Sequence, residues 1–330
     1  MRKVLFLLIL IASSSLAQTG VYVPQLAAFD AAMTNLLSTY GIPGGQLALT
    51  YQGRLVYNRG FGMADVASQT PVQPNSVFRI ASISKPITAV AIMKLYEQGL
   101  ISLDAKVFGA TGILNDAAYQ NILDPQVTNI TVRNLLQHTG GWNRNISGDP
   151  MFNSYAIATT MAVTPPADPS TVVKYMLQYK MLDFAPGTQS QYSNFGYCVL
   201  GRIIEKISGL SYDDYVTNNV FQPAGISNIN LGSNLSSQLA NEVTYYDYPG
   251  APLAASVYNN STMVPWPYGG FNLEAMDAHG GWVSSAEDLC KLLVAIDKFS
   301  TKPDILLPAT IDTMVKPSAQ DPYYSCGFGV

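Results

Sequence analysis

The sequence predicts an α/β (α+β) fold: an antiparallel sheet flanked by helices, with an inserted, mainly helical region over about residues 105–270. Three observations predict it. Two β-like runs lie near the N-terminus, at residues 46–51 and 54–61, and another begins at Phe328. Helical patterns fill the stretch between. The chain has 330 residues, 48% of them hydrophobic and 12% charged, enough to bury a sizeable core.

The elements follow in order. Residues 1–17, MRKVLFLLILIASSSLA, join a positive start at Arg2 and Lys3 to an apolar run and to small residues at Ser15 and Ala17. That is the pattern of a cleaved secretory signal, and the apolar run is too short to span a bilayer. The mature chain is therefore expected to be secreted or periplasmic, with no stable membrane insertion. Pro24 to Tyr40 reads as an amphipathic helix stopped by Gly41. The runs at 46–51 and 54–61 form a hairpin around Gln52-Gly53. Ser82 to Gln98 is apolar nearly all round, so this helix is central and buried. Further helices are expected at 131–137, 170–178, 195–208 and 212–220. The last long one runs from Ser284 to Lys298, capped by Ser284 or Ser285, and a short one covers 305–315. Residues 328–330 start a strand.

Composition excludes several functions. A net charge of −4 gives no basic footprint for nucleic acid. Two His and three Cys make poor material for a metal site, and no cofactor motif is present. Cys198 and Cys290 lie in apolar helical contexts and read as buried, inert thiols.

The chemistry centres on Ser82-Ile83-Ser84-Lys85. Residues three apart share a helix face, so the Lys85 amine can reach the Ser82 hydroxyl. A serine in the first turn sits at the positive end of the helix dipole, which favours a developing oxyanion. A desolvated lysine there loses basicity and can accept a proton near neutrality. Alone, S-x-x-K occurs about once by chance in a chain of this length. Tyr192-Ser193-Asn194 follows 110 residues later, at a loop-to-helix junction. A second Y-x-N, Tyr258-Asn259-Asn260, lies in a polar loop and is less rigidly placed. A Ser-His-Asp triad would need His138 or His279, both in turn-like, glycine-rich sequence that suits a structural histidine better. The aromatics Tyr245, Tyr246, Tyr248, Tyr258, Trp266 and Tyr268 read equally as cleft lining or as loop packing.

The stretch Phe78 to Lys85, FRIASISK, resembles the active-serine segment of the serine β-lactamase/penicillin-binding-protein-like superfamily, most of all its class C β-lactamase-related branch of esterases and D-aminopeptidases. The likeness continues along the chain. Gly60 to Asp65 resembles the end of the family's second strand. Leu135 to Gly141, LLQHTGG, resembles its LLxHTSG turn with Gly140 in place of the serine. Tyr192 to Tyr197 resembles its Y-x-N helix start, and Gly280 to Leu289 its GG(L/M)-x-S-T-x-x-D-L helix.

The resemblance implies a β-lactamase/transpeptidase-like fold over residues 18–330. It implies Ser82 as the acylated nucleophile, Lys85 as its activator and Tyr192 as general base and later acid, with Asn194 orienting the substrate carbonyl. The Ser82 backbone N–H would be half of the oxyanion hole. The family's K-T-G or H-x-G strand comes after a segment like Tyr324 to Val330, so the chain reads as a fragment lacking its last strands. The function expected is an exported serine hydrolase acting on a small-molecule or peptide substrate through an ester, amide or β-lactam carbonyl. A non-catalytic exported binding module, or an inactive fragment, is the contrasting expectation.

Overall fold

A computed structural model describes residues 17–235 and 239–330. The expected signal segment therefore lies outside the described residues, apart from Ala17.

The N-terminal third builds the main sheet. Strand β1 (Gln18–Gly20) is followed by helix α1 (Ala27–Tyr40), whose C-cap Gly41 is left-handed at φ 64°. Strands β2 (Gly44–Tyr51) and β3 (Arg54–Asp65) form the expected hairpin, with Gln52 and Gly53 both at positive φ, as a two-residue turn matched to strand twist requires. The antiparallel order is β1-β3-β2, with the short β4 (Thr70–Pro71) also on β3. Helix α1 covers one face, where Leu37, Tyr57 and Phe61 form a core with Leu47 and Leu49. Phe29 and Leu36 are exposed, so the apolar stripe of α1 is narrower than its sequence predicts.

Strand β5 (Phe78–Arg79) leads into a 3₁₀ turn, Ala81–Ile83, and then α2 (Ser84–Glu97). Ten residues of α2 are buried, as an all-round apolar pattern demands. The helical region packs around it: α3 (Val132–Leu136), α4 (Ser154–Thr160), α5 (Pro169–Tyr179), α6 (Asn194–Ser208), α7 (Tyr212–Val216) and α8 (Gln222–Ala224). Helix α4 escaped the sequence because SYAIATT has no heptad-length pattern.

The later strands depart from expectation. Strand β6 (Ile229–Leu231) is followed by a small pair, β7 (Ala254–Ala255) with β8 (Met263–Val264), and by β9 (Trp282–Ser284). A second antiparallel sheet, β5-β9-β6, thus gathers three distant stretches of chain. Ser284 belongs to β9, so Ser285 is the cap of α9 (Ala286–Val294), accepting from Asp288 N. Helix α9 lies on the sheet face opposite α1, where Gln46 Oε1 accepts from Ala286 N and Asn58 Nδ2 donates to Glu287 at 2.9 Å. After α10 (Pro308–Met314), the expected strand at 328–330 is a turn closed by an isolated bridge between Tyr324 and Gly329. Cys198 and Cys326 are fully buried and Cys290 half-buried, all three free thiols.

Candidate active site

Ser82 sits in the 3₁₀ turn at the mouth of α2, preceded by Ala81 at φ 46°. A left-handed alanine costs about 1 kcal/mol, strain of the kind that persists where surrounding structure holds a reactive residue in place. The Ser82 side chain is exposed, while Lys85, one turn on, is 2% exposed. Their spacing does what three residues of helix allow: Lys85 Nζ donates to Ser82 Oγ at 3.1 Å.

Tyr192 arrives from the other side. Its hydroxyl is 2.6 Å from Ser82 Oγ. It stands one residue before the cap of α6, where Ser193 Oγ accepts from Gly196 N at 3.0 Å. Asn194, the first residue of α6, points inward and is buried. Its Oδ1 accepts from Lys85 Nζ at 2.7 Å, and its Nδ2 donates to Asp149 Oδ2 at 2.7 Å. The four residues singled out from sequence are thus brought into one hydrogen-bonded cluster. Asn194 spends its carbonyl on Lys85 rather than presenting it to the cleft. The second Y-x-N goes elsewhere: the Tyr258 hydroxyl accepts from Asn234.

Lys85 has a third partner. Its Nζ donates to the backbone carbonyl of His279 at 3.0 Å. The segment around 279 is fastened to α2 and to the chain just before it at several other points. Thr88 Oγ1 donates to Ala278 O at 2.6 Å, Trp282 N donates to Ser84 Oγ at 3.3 Å, and Ile80 N donates to Trp282 O at 3.0 Å. A buried ion pair, Arg202 to Asp277, ties it to α6.

The electrostatics follow from burial. Desolvation pulls the Lys85 amine down to about 7, opposed by the charge of Asp149 and reinforced by that of Arg144. Burial pushes the Tyr192 phenol up, only partly offset by the bond to Ser82 and by Arg144. Arg144 is exposed, its guanidinium 4.8 Å from the Tyr192 ring centroid; Lys85 Nζ is 4.6 Å from the same ring.

Neither histidine ring reaches Ser82 among the described hydrogen bonds. His138, at φ 57°, accepts through Nδ1 from Ser193 N at 3.2 Å. Its ring packs on Tyr192 at 4.7 Å, Tyr197 at 5.2 Å and Tyr324 at 4.9 Å. Burial lowers it to about 3, so it is a neutral tile under Tyr192. His279 is likewise held neutral by burial. The aromatic cluster expected from sequence divides. Tyr245 and Tyr268 flank the Arg79 guanidinium, which donates to Ser233 O and Pro267 O, while Trp266 joins Phe152 and Phe271.

Asp149, Arg144 and the His279 carbonyl were not marked by any sequence pattern. The loop that carries the first two has no catalytic motif, and a backbone carbonyl has no sequence signature. Among the described residues, no group of three or more His, Cys, Asp or Glu stands at metal-binding distance, and no helix is long and apolar enough to cross a membrane.

The chain is similar to known proteins. The family model described as Beta-lactamase matches residues 29–329. A protein named probable fimbrial assembly protein FimD, serogroup H1, of Dichelobacter nodosus is 32% identical over 256 residues, covering 77% of this chain and 57% of that protein. Penicillin-binding protein 4* of Bacillus subtilis is 33% identical over 175 residues, covering 53% of this chain and 35% of that one. The chain thus spans about a third to just over half the length of these curated relatives. The solved penicillin-binding protein homologue of Pyrococcus abyssi superposes with a TM-score of 0.66 at 25% identity, covering 92% of this chain and 64% of its own.

Proposed function

Because the chain belongs to the β-lactamase family, we propose that it is an exported serine hydrolase working through an acyl-enzyme on Ser82, with an ester, amide, peptide or β-lactam as substrate. The observation that carries this reading is the path Tyr192–Ser82–Lys85, with Ser82 Oγ 2.6 Å from one group and 3.1 Å from the other. An exported location rests on residues 1–17 alone.

The path supports a balanced acyl transfer. Lys85, brought down to about 7, is substantially neutral at physiological pH and, in place of the Tyr192 base that the resemblance implies, takes the Ser82 proton as Oγ attacks the carbonyl carbon. Charge moves to the carbonyl oxygen, which the Ser82 N–H and the dipole of α2 stabilise. Collapse breaks the bond to the leaving group, which takes a proton from Tyr192, kept protonated by burial. Lys85 then returns the proton to Tyr192. Water repeats the sequence on the acyl-enzyme, releasing the acid and restoring Ser82.

A fluorophosphonate or a fluorescent penicillin is expected to label the wild type covalently and to leave Ser82→Ala unlabelled. Equal labelling of both, or of neither, refutes the assignment, and neither would favour a binding module. A panel of p-nitrophenyl esters, D-amino-acid amides and nitrocefin would then name the substrate class.

A further inference from the structure

Asp149 stands behind Asn194, with no hydrogen bond or ion pair to Ser82 or Lys85 among the described contacts. Its two oxygens have separate partners: Oδ1 accepts from Met151 N at 3.1 Å, and Oδ2 accepts from Asn194 Nδ2 at 2.7 Å. The first bond caps the 3₁₀ turn Pro150–Phe152 and holds the carboxylate in one rotamer. The loop before it is braced at Asp183, whose Oδ2 accepts from Asn143 N at 2.7 Å and from Ser147 Oγ at 2.8 Å. A fixed carboxylate thus faces the amide of Asn194.

A carboxylate only accepts, so it admits one orientation of that amide: NH₂ toward Asp149 and oxygen toward Lys85. Turned over, the amide would set an oxygen against a carboxylate and an NH₂ against an amine. We propose that Asp149 is a positioning residue, which locks the Asn194 amide oxygen onto Lys85 Nζ and so keeps the amine within reach of Ser82 Oγ. This rests on the hydrolase reading above and adds to it a residue from outside the S-x-x-K and Y-x-N motifs.

The same carboxylate also acts on the amine through its charge. The groups around Lys85 are Ser82, the Tyr192 and Tyr197 rings, Asn194 and the His279 carbonyl, with the Arg144 cation and the neutral ring of His138 beyond. None of these is an anion; the negative charge that acts on the amine is that of Asp149, and it opposes the combined effect of burial and Arg144. Removing its charge lets the amine fall further.

Two variants test this on the full chain. Asp149→Asn loses the charge and keeps one acceptor oxygen where the carboxylate has two; the acid limb of the fluorophosphonate acylation rate is expected to move at least half a unit to lower pH. Asp149→Ala loses the lock as well, and its rate above the limb is expected to fall at least tenfold, partly rescued in Asp149→Asn. Wild-type rates and an unmoved limb in both variants overturn the proposal. A double-mutant cycle between Asp149→Ala and Asn194→Ala, read by denaturant unfolding, needs no activity. A coupling of at least fivefold in the unfolding constant supports the contact, and additivity overturns it. The two readings fail separately: an unlabelled wild type refutes the hydrolase, and additivity in the cycle refutes the lock.

Discussion

At the scale of single residues, Ser82 and Lys85 meet because of local geometry. The i, i+3 spacing sets Lys85 Nζ 3.1 Å from Ser82 Oγ, and no tertiary contact is needed to bring them together. What the lysine then does depends on burial. Desolvation first, and Arg144 second, lower the amine to about 7 from an ordinary lysine value of 10.5. The neutral form, the one able to accept a proton, exists above that value. The acylation rate of Ser82 is therefore expected to climb as pH rises through about 7 and to level off above it. Inactivation by a fluorophosphonate followed from pH 5.5 to 8.5 checks this, and a flat profile would contradict it. Tyr192 and Asn194 are legible in sequence only as a short pattern with a rival copy at Tyr258. Their place at the head of an apolar helix favoured them over that copy, but their contact with Ser82 and Lys85 required the fold, because 110 residues separate Tyr192 from Ser82.

At the scale of elements, caps and turns were readable and strand pairings were not. Gln52-Gly53 marks its own turn, Gly41 ends α1 and Ser285 caps α9, since each works through bonds within a few residues. Strand β9 is three residues long and buried throughout, so it lacks the alternation that betrays a strand, and its partners lie near residues 79 and 230. That hidden strand matters, because the segment just before it carries the His279 carbonyl to Lys85. The segment packs closely on α6: a Cβ on Gly201 would stand 2.8 Å from the Cβ of Ala278. Gly201→Val is expected to cost about 1–3 kcal/mol as overpacking in a dense core. Urea unfolding measures that loss, and a stability equal to wild type would mean that the interface yields freely.

At the scale of the whole molecule, one large core surrounds α2, and two buried histidines are locked within it. Burial drops His138 to about 3 and His279 well below its usual range, so both remain neutral in the fold over pH values where an unfolded chain would protonate them. The unfolded state thus binds more protons between about pH 3 and the ordinary histidine value near 6.5, and stability falls as pH falls through that window. The slope from one such group is about 1.4 kcal/mol per pH unit. His138→Asn retains an acceptor for Ser193 N and removes one titration. Its unfolding free energy is expected to decline less steeply from pH 6.5 to 4 than that of the wild type; parallel slopes would contradict this.

The layered architecture was present in the sequence as two β-like runs at the hairpin and an apolar surface on α2, and the pairing of Ser82 with Lys85 as one helical turn between them. The sequence also suggested a C-terminal strand at 328–330, where the chain instead folds into a turn bridged from Tyr324 to Gly329. The surroundings of the lysine were decided by tertiary structure alone. Asn194 and the His279 carbonyl reach it across 109 and 194 residues, and Asp149 reaches Asn194 across 45. Such contacts depend on how helices and a hidden strand stack around a common core, which no local pattern encodes.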